Sequence, residues 1–308
     1  LYNGEKMPFL SINELRAKCQ NLDNFDAKTM KLDTRVHPNR DTAAAHYLSA
    51  VIQVEKYYEP RLYRVKDSIV SVLNAPSLKA RCLTQLLRGE LVDLYHRESG
   101  GYGWVQNLRD GYVGYVPMAC LTPVEENETA PMTEAIITAP KTFAYTEPDL
   151  KSQPSNNLYL GSIISGTKTT NGYLETEFGF VTEKHSKQDG FLKGDWLKTM
   201  LSFQGTPYLW GGKSFGGIDC SGLVQVVLNA YGIECPRDSD QQAAALGKLL
   251  DNQDILQRGD FVFFKGHVGV MIDADQMLHA NQTAMSVTID PLSFVESIAG
   301  SILCRRRL

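Results

Sequence analysis

Thr206-Pro-Tyr-Leu-Trp-Gly-Gly-Lys-Ser-Phe-Gly-Gly-Ile-Asp-Cys-Ser-Gly222, followed by the apolar run Leu223-Val-Gln-Val-Val-Leu-Asn-Ala-Tyr231, is the stretch on which the fold turns. Gly211, Gly212, Gly216 and Gly217 make a loop whose backbone can approach a ligand closely. The loop turns into a helix at Asp219, a good N-cap, and Gly232 is a fitting stop. Cys220 then lies on the first helical turn, where unpaired N–H groups and the positive end of the helix dipole converge. That setting favours the thiolate, the nucleophilic form of cysteine. A single cysteine is by default a small buried apolar residue. Against that default, polar Asp219 and Ser221 flank Cys220, the loop ahead is too glycine-rich for a plain core connection, and histidines follow downstream.

A thiol nucleophile needs a general base to take its proton and return it to the leaving amine. The base in turn needs a group that fixes its tautomer and orientation. His267 and His279 are 12 residues apart, at the ends of neighbouring predicted strands. Pairing of those strands would bring both rings to one sheet face beside the Cys220 helix. Cys220 is therefore read as nucleophile, His267 as base and His279 as orienter. A zinc site of one Cys and two His is the weaker alternative, because it lacks further ligands and no H-E-x-x-H motif occurs. No metal and no cofactor are expected.

The bulk composition agrees with a soluble globular chain of two or three domains: 308 residues, 43% apolar and 21% charged. A net charge of −4 gives no basic footprint for nucleic acid. Arg305-Arg306-Arg307 reads as a solvated terminus. No apolar run is long enough to span a bilayer. The six cysteines, Cys19, Cys82, Cys120, Cys220, Cys235 and Cys304, show no C-x-x-C spacing. Cys235, just before Pro236, reads as an inert core residue.

Residues 1–61 read as a helical segment. Ser11-Ile-Asn-Glu14 resembles a capping box, and a second helix is predicted over Thr42 to Tyr58, with His37 and His46 on the surface. From 62 to 124 the pattern changes to period two: Ser68-Ile-Val-Ser-Val-Leu, Glu90-Leu-Val-Asp-Leu-Tyr, Tyr102-Gly-Trp-Val-Gln and Tyr112-Val-Gly-Tyr-Val-Pro are short predicted strands. Beyond a polar linker the layout repeats over 132–198, closing with Gly190-Phe and Trp196-Leu; Glu183 to Gly190 is predicted as an exposed turn with His185 solvated. From 199 to 308 a mixed α+β pattern follows. The Cys220 helix comes first, then a helix over Ser239 to Leu250, then strands at Gly259-Asp-Phe-Val-Phe-Phe, His267-Val-Gly-Val-Met-Ile and Gln276-Met-Leu-His-Ala.

Two resemblances sharpen these expectations. Segment 62–124, with Gly103-Trp-Val and Gly111-Tyr-Val-Gly-Tyr-Val, resembles bacterial SH3-like domains. Pro207-Tyr-Leu-Trp-Gly-Gly, Asp219-Cys-Ser-Gly222, Pro236-Arg-Asp-Ser-Asp-Gln-Gln242, Arg258-Gly-Asp-Phe-Val-Phe-Phe264 and His267-Val-Gly-Val together resemble the NlpC family of papain-like cell-wall cysteine peptidases. The whole layout is similar to that of the γ-D-glutamyl-L-diamino-acid endopeptidases of the dipeptidyl-peptidase VI type. The expected fold is multidomain: two small all-β SH3-like barrels, then an α+β papain-like domain with helices on an antiparallel sheet.

The resemblance implies a thiol protease acting on murein peptides that carry a free N-terminal L-Ala. It gives Cys220, His267 and His279 the catalytic roles. It implies that Asp219, Ser221, Tyr208 and Trp210 hold the substrate; we add the expectation that Tyr208 O–H supports the oxyanion alongside the Cys220 N–H. Tyr112 is implied to reach from the first barrel to the cleft. Some relatives carry an acidic residue just before the position of Thr84-Gln85; Leu83 stands there, so amine recognition falls to Asp219 or to an acid from elsewhere. A wall-binding protein without catalysis, and an amidase or acyltransferase on the same fold, are the alternatives. A monomer is expected. The chain begins at Leu1 rather than Met, which tilts the expected location to the cell envelope, with cytoplasmic peptide recycling as the alternative.

Overall fold

Period-two runs broken by glycine-bearing turns favour antiparallel pairing, and strands, nearly all paired antiparallel, make up most of the regular secondary structure of the computed structural model. It describes residues 12–22, 32–124, 133–188, 190–251 and 253–308. No described helix is long and apolar enough to cross a membrane.

The N-terminal region holds helix α1, Ile12–Cys19, which is docked by Arg16 on the buried Asp93 carboxylate (Nη2–Oδ1 2.6 Å). Ser11, the proposed cap, lies outside the described residues. The helix predicted over Thr42 to Tyr58 does not form. Ala43–Ala45 is a strand, antiparallel to Asn39–Arg40 and parallel to Lys56–Tyr58, with a single 3₁₀ turn at His46–Leu48. Alanine favours helix locally, but here tertiary packing wins. Ala44, Ala45 and Leu48 are small enough to seat against Tyr95, Trp104 and Val113 of the next unit. His37, expected on the surface, is 1% exposed, and its Nδ1 lies 3.1 Å from the Asp33 carbonyl.

The next unit is a seven-stranded antiparallel sheet in the spatial order Leu121–Pro123, Arg61–Val65, Leu91–Arg97, Tyr102–Asn107, Val113–Pro117, Ile69–Leu73, Cys82–Leu87. It wraps a core of Val70, Val72, Leu86, Val92, Leu94, Val105 and Val116. A second seven-stranded sheet follows, ordered Pro154–Tyr159, Lys141–Tyr145, Gly179–Thr182, Tyr173–Thr176, Ile163–Lys168, Thr133–Ile137, Ser186–Gln188. The expected turn at 183–190 is instead a 3₁₀ turn, Glu183–His185, running into an edge strand that pairs with Ala135–Ile137. His185 is exposed, as expected, and its Nδ1 meets Thr142 Oγ1 at 2.8 Å. Trp196-Leu does not close this sheet. Asp195 caps helix α2, Trp196–Leu201, whose Leu197 and Met200 enter the core of the third unit, and Trp196 stacks on Phe261.

In the third unit, α3 (Cys220–Ala230) and α4 (Ser239–Ala245) pack on a six-stranded antiparallel sheet. Its order is Lys248–Leu249, Cys304–Arg307, Phe261–Phe264, His267–Met271, Gln276–Asn281, Ser286–Pro291, and α5 (Leu292–Ala299) follows the last of these. α4 is shorter than predicted because the C-terminal strand crowds its end: a Cβ at Gly247 would sit 2.1 Å from the Arg307 carbonyl oxygen. Arg305-Arg306-Arg307 is thus no solvated terminus but a strand, and Arg307 pairs with the fully buried Asp260 (Nε–Oδ1 2.6 Å). α3 is buried on nearly every side, with Leu223, Val224, Val227 and Leu228 in a core that also takes Leu87, Tyr159 and Leu160 from the two preceding sheets.

Candidate active site

α3 begins where the sequence predicts, and the loop before it is held by one carboxylate. Asp219 Oδ1 accepts from Gly222 N at 2.7 Å, capping the helix, and Oδ2 accepts from Gly211 N at 2.8 Å. The loop packs so closely that a Cβ on Gly222 would lie 2.2 Å from the Gly212 carbonyl oxygen; only glycine fits there. Both Asp219 oxygens also accept from Arg237, at 3.0 and 2.6 Å. The 1% exposed Arg237 guanidinium further donates to Ser221 Oγ at 2.9 Å and Thr84 Oγ1 at 2.7 Å. Asp219, a candidate for substrate binding, is therefore fully engaged within the protein, and its charge is matched by Arg237. Ser221 Oγ is turned toward the same pair.

Cys220 is 8% exposed at the mouth of α3. The backbone N–H groups of Val268, the residue after His267, and of Ser221 favour its thiolate form. Burial, with the Asp219 charge adding to it, pushes the thiol up to about 12, and these N–H groups and Arg237 only partly offset the rise. The thiolate expected from the helix N-terminus is thus not the resting form: desolvation outweighs the dipole.

The two histidines meet as expected from strand pairing. The register that pairs Val270 with Leu278 sets His267 and His279 diagonally on adjacent strands, with His267 Nε2 2.8 Å from His279 Nδ1. His279 Nε2 lies 3.1 Å from Asp290 Oδ2, and Thr288 Oγ1 donates to that same oxygen. The ionised Asp290 carboxylate selects the tautomer. Nε2–H of His279 faces the carboxylate, Nδ1 of His279 accepts from Nε2–H of His267, and Nδ1 of His267 keeps its lone pair. Burial, then the neighbouring His279, pushes His267 down to about 4. Burial also lowers His279 against the opposing pull of Asp290. Burial raises Asp290, but the hydrogen bonds from Thr288 and His279 outweigh it and hold the carboxyl below its usual range.

Tyr208 is half-buried on the loop, near enough to Cys220 to be raised by its charge after burial, and Gln282 Nε2 donates to its hydroxyl at 3.5 Å. Trp210 is 63% exposed at the surface of the same loop. Tyr112, 5% exposed, sits in the first seven-stranded unit; its hydroxyl donates to Asp238 Oδ2 at 3.2 Å, across 126 positions of sequence. Cys235 is buried, and its Sγ donates to the Pro236 carbonyl.

Four residues were given no role from sequence: Asp290, Arg237, Asp238 and Arg35. Arg237 and Asp238 belong to the quoted Pro236–Gln242 motif, so a signal was present. Asp290 and Arg35 carried none. Arg35 Nη1 donates to Asp238 Oδ2 at 2.9 Å.

Comparison with known proteins gives the following. The profile described as NlpC/P60 family matches residues 205–299, and one described as bacterial dipeptidyl-peptidase Sh3 domain matches residues 72–121. The chain is 33% identical over 274 residues to a γ-D-glutamyl-L-lysine dipeptidyl-peptidase of Bacillus subtilis, covering 81% of this chain and 84% of that one. It is 29% identical over 252 residues to the Bacillus cereus protein of the same name, covering 71% and 74%. Among solved structures, an NlpC/P60 family protein from Bacillus cereus superposes with a TM-score of 0.69 at 22% identity, covering 80% of this chain and 99% of that chain, a likeness of fold.

Proposed function

The chain belongs to the NlpC/P60 family, and from that premise we propose that it is a cysteine endopeptidase. It hydrolyses the γ-D-glutamyl–diamino acid bond of murein peptides with a free N-terminal L-Ala. The observation that carries this is the hydrogen-bonded series His267–His279–Asp290 on the sheet against which α3, with Cys220 on its first turn, is packed.

In the first half-reaction His267 Nδ1 takes the Cys220 proton as the sulfur attacks the γ-carbonyl carbon. The imidazolium so formed is stabilised through His279 by the Asp290 carboxylate. The Cys220 N–H and the Tyr208 hydroxyl receive the oxyanion. Collapse of the intermediate breaks the C–N bond, and His267 returns the proton to the leaving diamino acid amine. Water then attacks the thioester, with His267 again as base, and the L-Ala-D-Glu dipeptide leaves. Because neither group is charged at rest, the proton moves within the chemical step.

The substrate's ammonium falls to Asp238 rather than Asp219. Asp219 is matched and enclosed by Arg237, whereas the Asp238 side chain is 25% exposed and faces the Tyr112 hydroxyl, 3.2 Å from Oδ2 and 3.5 Å from Oδ1. This supplies the acid that Leu83 does not. The second seven-stranded sheet is read as a second SH3-like barrel. We place the protein's work in the cell envelope and its active form as a monomer.

The test incubates L-Ala-γ-D-Glu-diaminopimelate with the protein and with Cys220→Ala. Release of L-Ala-D-Glu is expected from the first and a loss of roughly 10⁴-fold or more in the second. Equal turnover by both would remove Cys220 as nucleophile, and a different cleaved bond, read by product mass, would point to an amidase or acyltransferase.

A further inference from the structure

The segment Asp33–His37 belongs to neither the first seven-stranded unit nor the peptidase unit, yet its Arg35 reaches Asp238 and Asp240 at the start of α4. It is a tight turn, with Val36 N and His37 N both donating to the Asp33 carbonyl. It is pinned beside Tyr112: the Arg35 carbonyl accepts from Val113 N and the Val36 carbonyl from Gln106 Nε2, each at 2.8 Å. Its Arg35 guanidinium makes three sets of bonds. Nε and Nη2 fork onto Asp33 (3.0 and 2.8 Å). Nη1 and Nη2 fork onto Asp240 (2.9 Å each). Nη1 also donates to Asp238 Oδ2 (2.9 Å).

The first two forks fix the position of Arg35 independently of Asp238. They also offset its charge, so that a cation arriving at Asp238 meets a neutralised neighbour. Oδ2 of Asp238 is then shared by Arg35 and Tyr112, whose hydroxyl also lies 3.5 Å from Oδ1, and the same carboxylate caps α4 through the Gln241 N–H. We propose that Arg35 is a positioning residue for specificity: carried in by the N-terminal segment, it turns the Asp238 carboxylate onto Tyr112 so that it receives the substrate's N-terminal ammonium. This rests on Asp238 and Tyr112 being the amine subsite proposed above. The groups facing Asp238 are Arg35, Arg237 and Tyr112; burial raises its carboxyl, and the two arginines oppose that rise.

The experiment measures kcat and KM for L-Ala-γ-D-Glu-diaminopimelate and its N-acetylated form with wild type, Arg35→Ala, Arg35→Gln and Arg35→Lys, over a range of pH. For Arg35→Ala and Arg35→Gln, KM for the free-amine peptide is expected to rise about 10-fold or more, since a charge-assisted hydrogen bond is lost. kcat stays within about 2-fold. The acid limb of kcat/KM moves to higher pH, the N-acetylated peptide is unaffected, and Arg35→Lys recovers part of the loss. Should Arg35→Ala fail to fold, the near-isosteric Gln and Lys pair carries the comparison. Equal losses on both peptides, an unmoved KM and acid limb, or a lower KM through relieved repulsion would each overturn the proposal. A wild type that does not distinguish the two peptides would instead overturn the amine subsite itself.

Discussion

Cys220 sits where two influences oppose each other, and their magnitudes decide its state. A helix N-terminus contributes at most a kcal/mol or two to a nearby anion, whereas removing a thiolate from water costs several times that. Burial accordingly pushes Cys220 up to about 12 and His267 down to about 4, so both are neutral throughout the physiological range. Alkylation of Cys220 by iodoacetamide, followed by peptide mass mapping, is therefore expected to accelerate about 10-fold per pH unit between about pH 6 and about pH 9. A rate independent of pH across that range would mean that a thiolate–imidazolium pair already exists at rest. The sign for stability follows from the same burial. His267 is depressed when folded, so its contribution is complete above its ordinary value of 6.5 and lost as pH falls toward about 4.

At the scale of the element, α3 is a helix whose first turn is seated by partners outside it. Its cap, Asp219, is buried and needs a cation, and Arg237, arriving from just before α4, supplies one with no exposure of its own. Replacing Arg237 by Met leaves a carboxylate in the interior with two backbone N–H donors and the Ser221 hydroxyl but no counter-charge from Arg237. A loss of roughly 3–5 kcal/mol in urea unfolding is expected. Adding Asp219→Asn to Arg237→Met should return part of that stability, because a neutral amide needs no counter-charge. If the single and double variants unfold alike, the pair is not what seats the helix.

Across the whole molecule the site is a junction. Tyr112 comes from the first seven-stranded unit, Arg35 from the N-terminal segment, and Cys220, His267 and Asp238 from the peptidase unit. One tie across the junction is Lys213, 1% exposed, with Glu90 Oε1 at 3.4 Å and Asp110 Oδ2 at 3.7 Å. Gln85 fixes the backbone of Lys213. Lys213→Met leaves Glu90 to Arg109 and takes from Asp110 its paired cation, and is expected to cost roughly 3–5 kcal/mol. Hydrogen exchange should show the amides of Leu91–Arg97 and of α3 losing protection together. Loss confined to α3 would show that the two units are not energetically coupled.

The sequence by itself determined the features that depend on near neighbours. The cap and glycines place Cys220 at the start of α3, the period-two runs mark strands such as Tyr102–Asn107, and the spacing of His267 and His279 brings two rings together once their strands pair. These are legible because each rests on hydrogen bonds or side-chain faces set within a few residues. Only the tertiary structure decided that Ala43–Ala45 is a strand, that Arg305–Arg307 closes a sheet, that Asp290 ends the histidine relay, and that Arg35, Tyr112 and Asp238 share one carboxylate. Each of those depends on burial or on strand register between segments far apart in the chain. The same burial reversed the expected charge of Cys220: the helix dipole can be read from local residues, but the desolvation that outweighs it exists only after the core has closed around the sulfur.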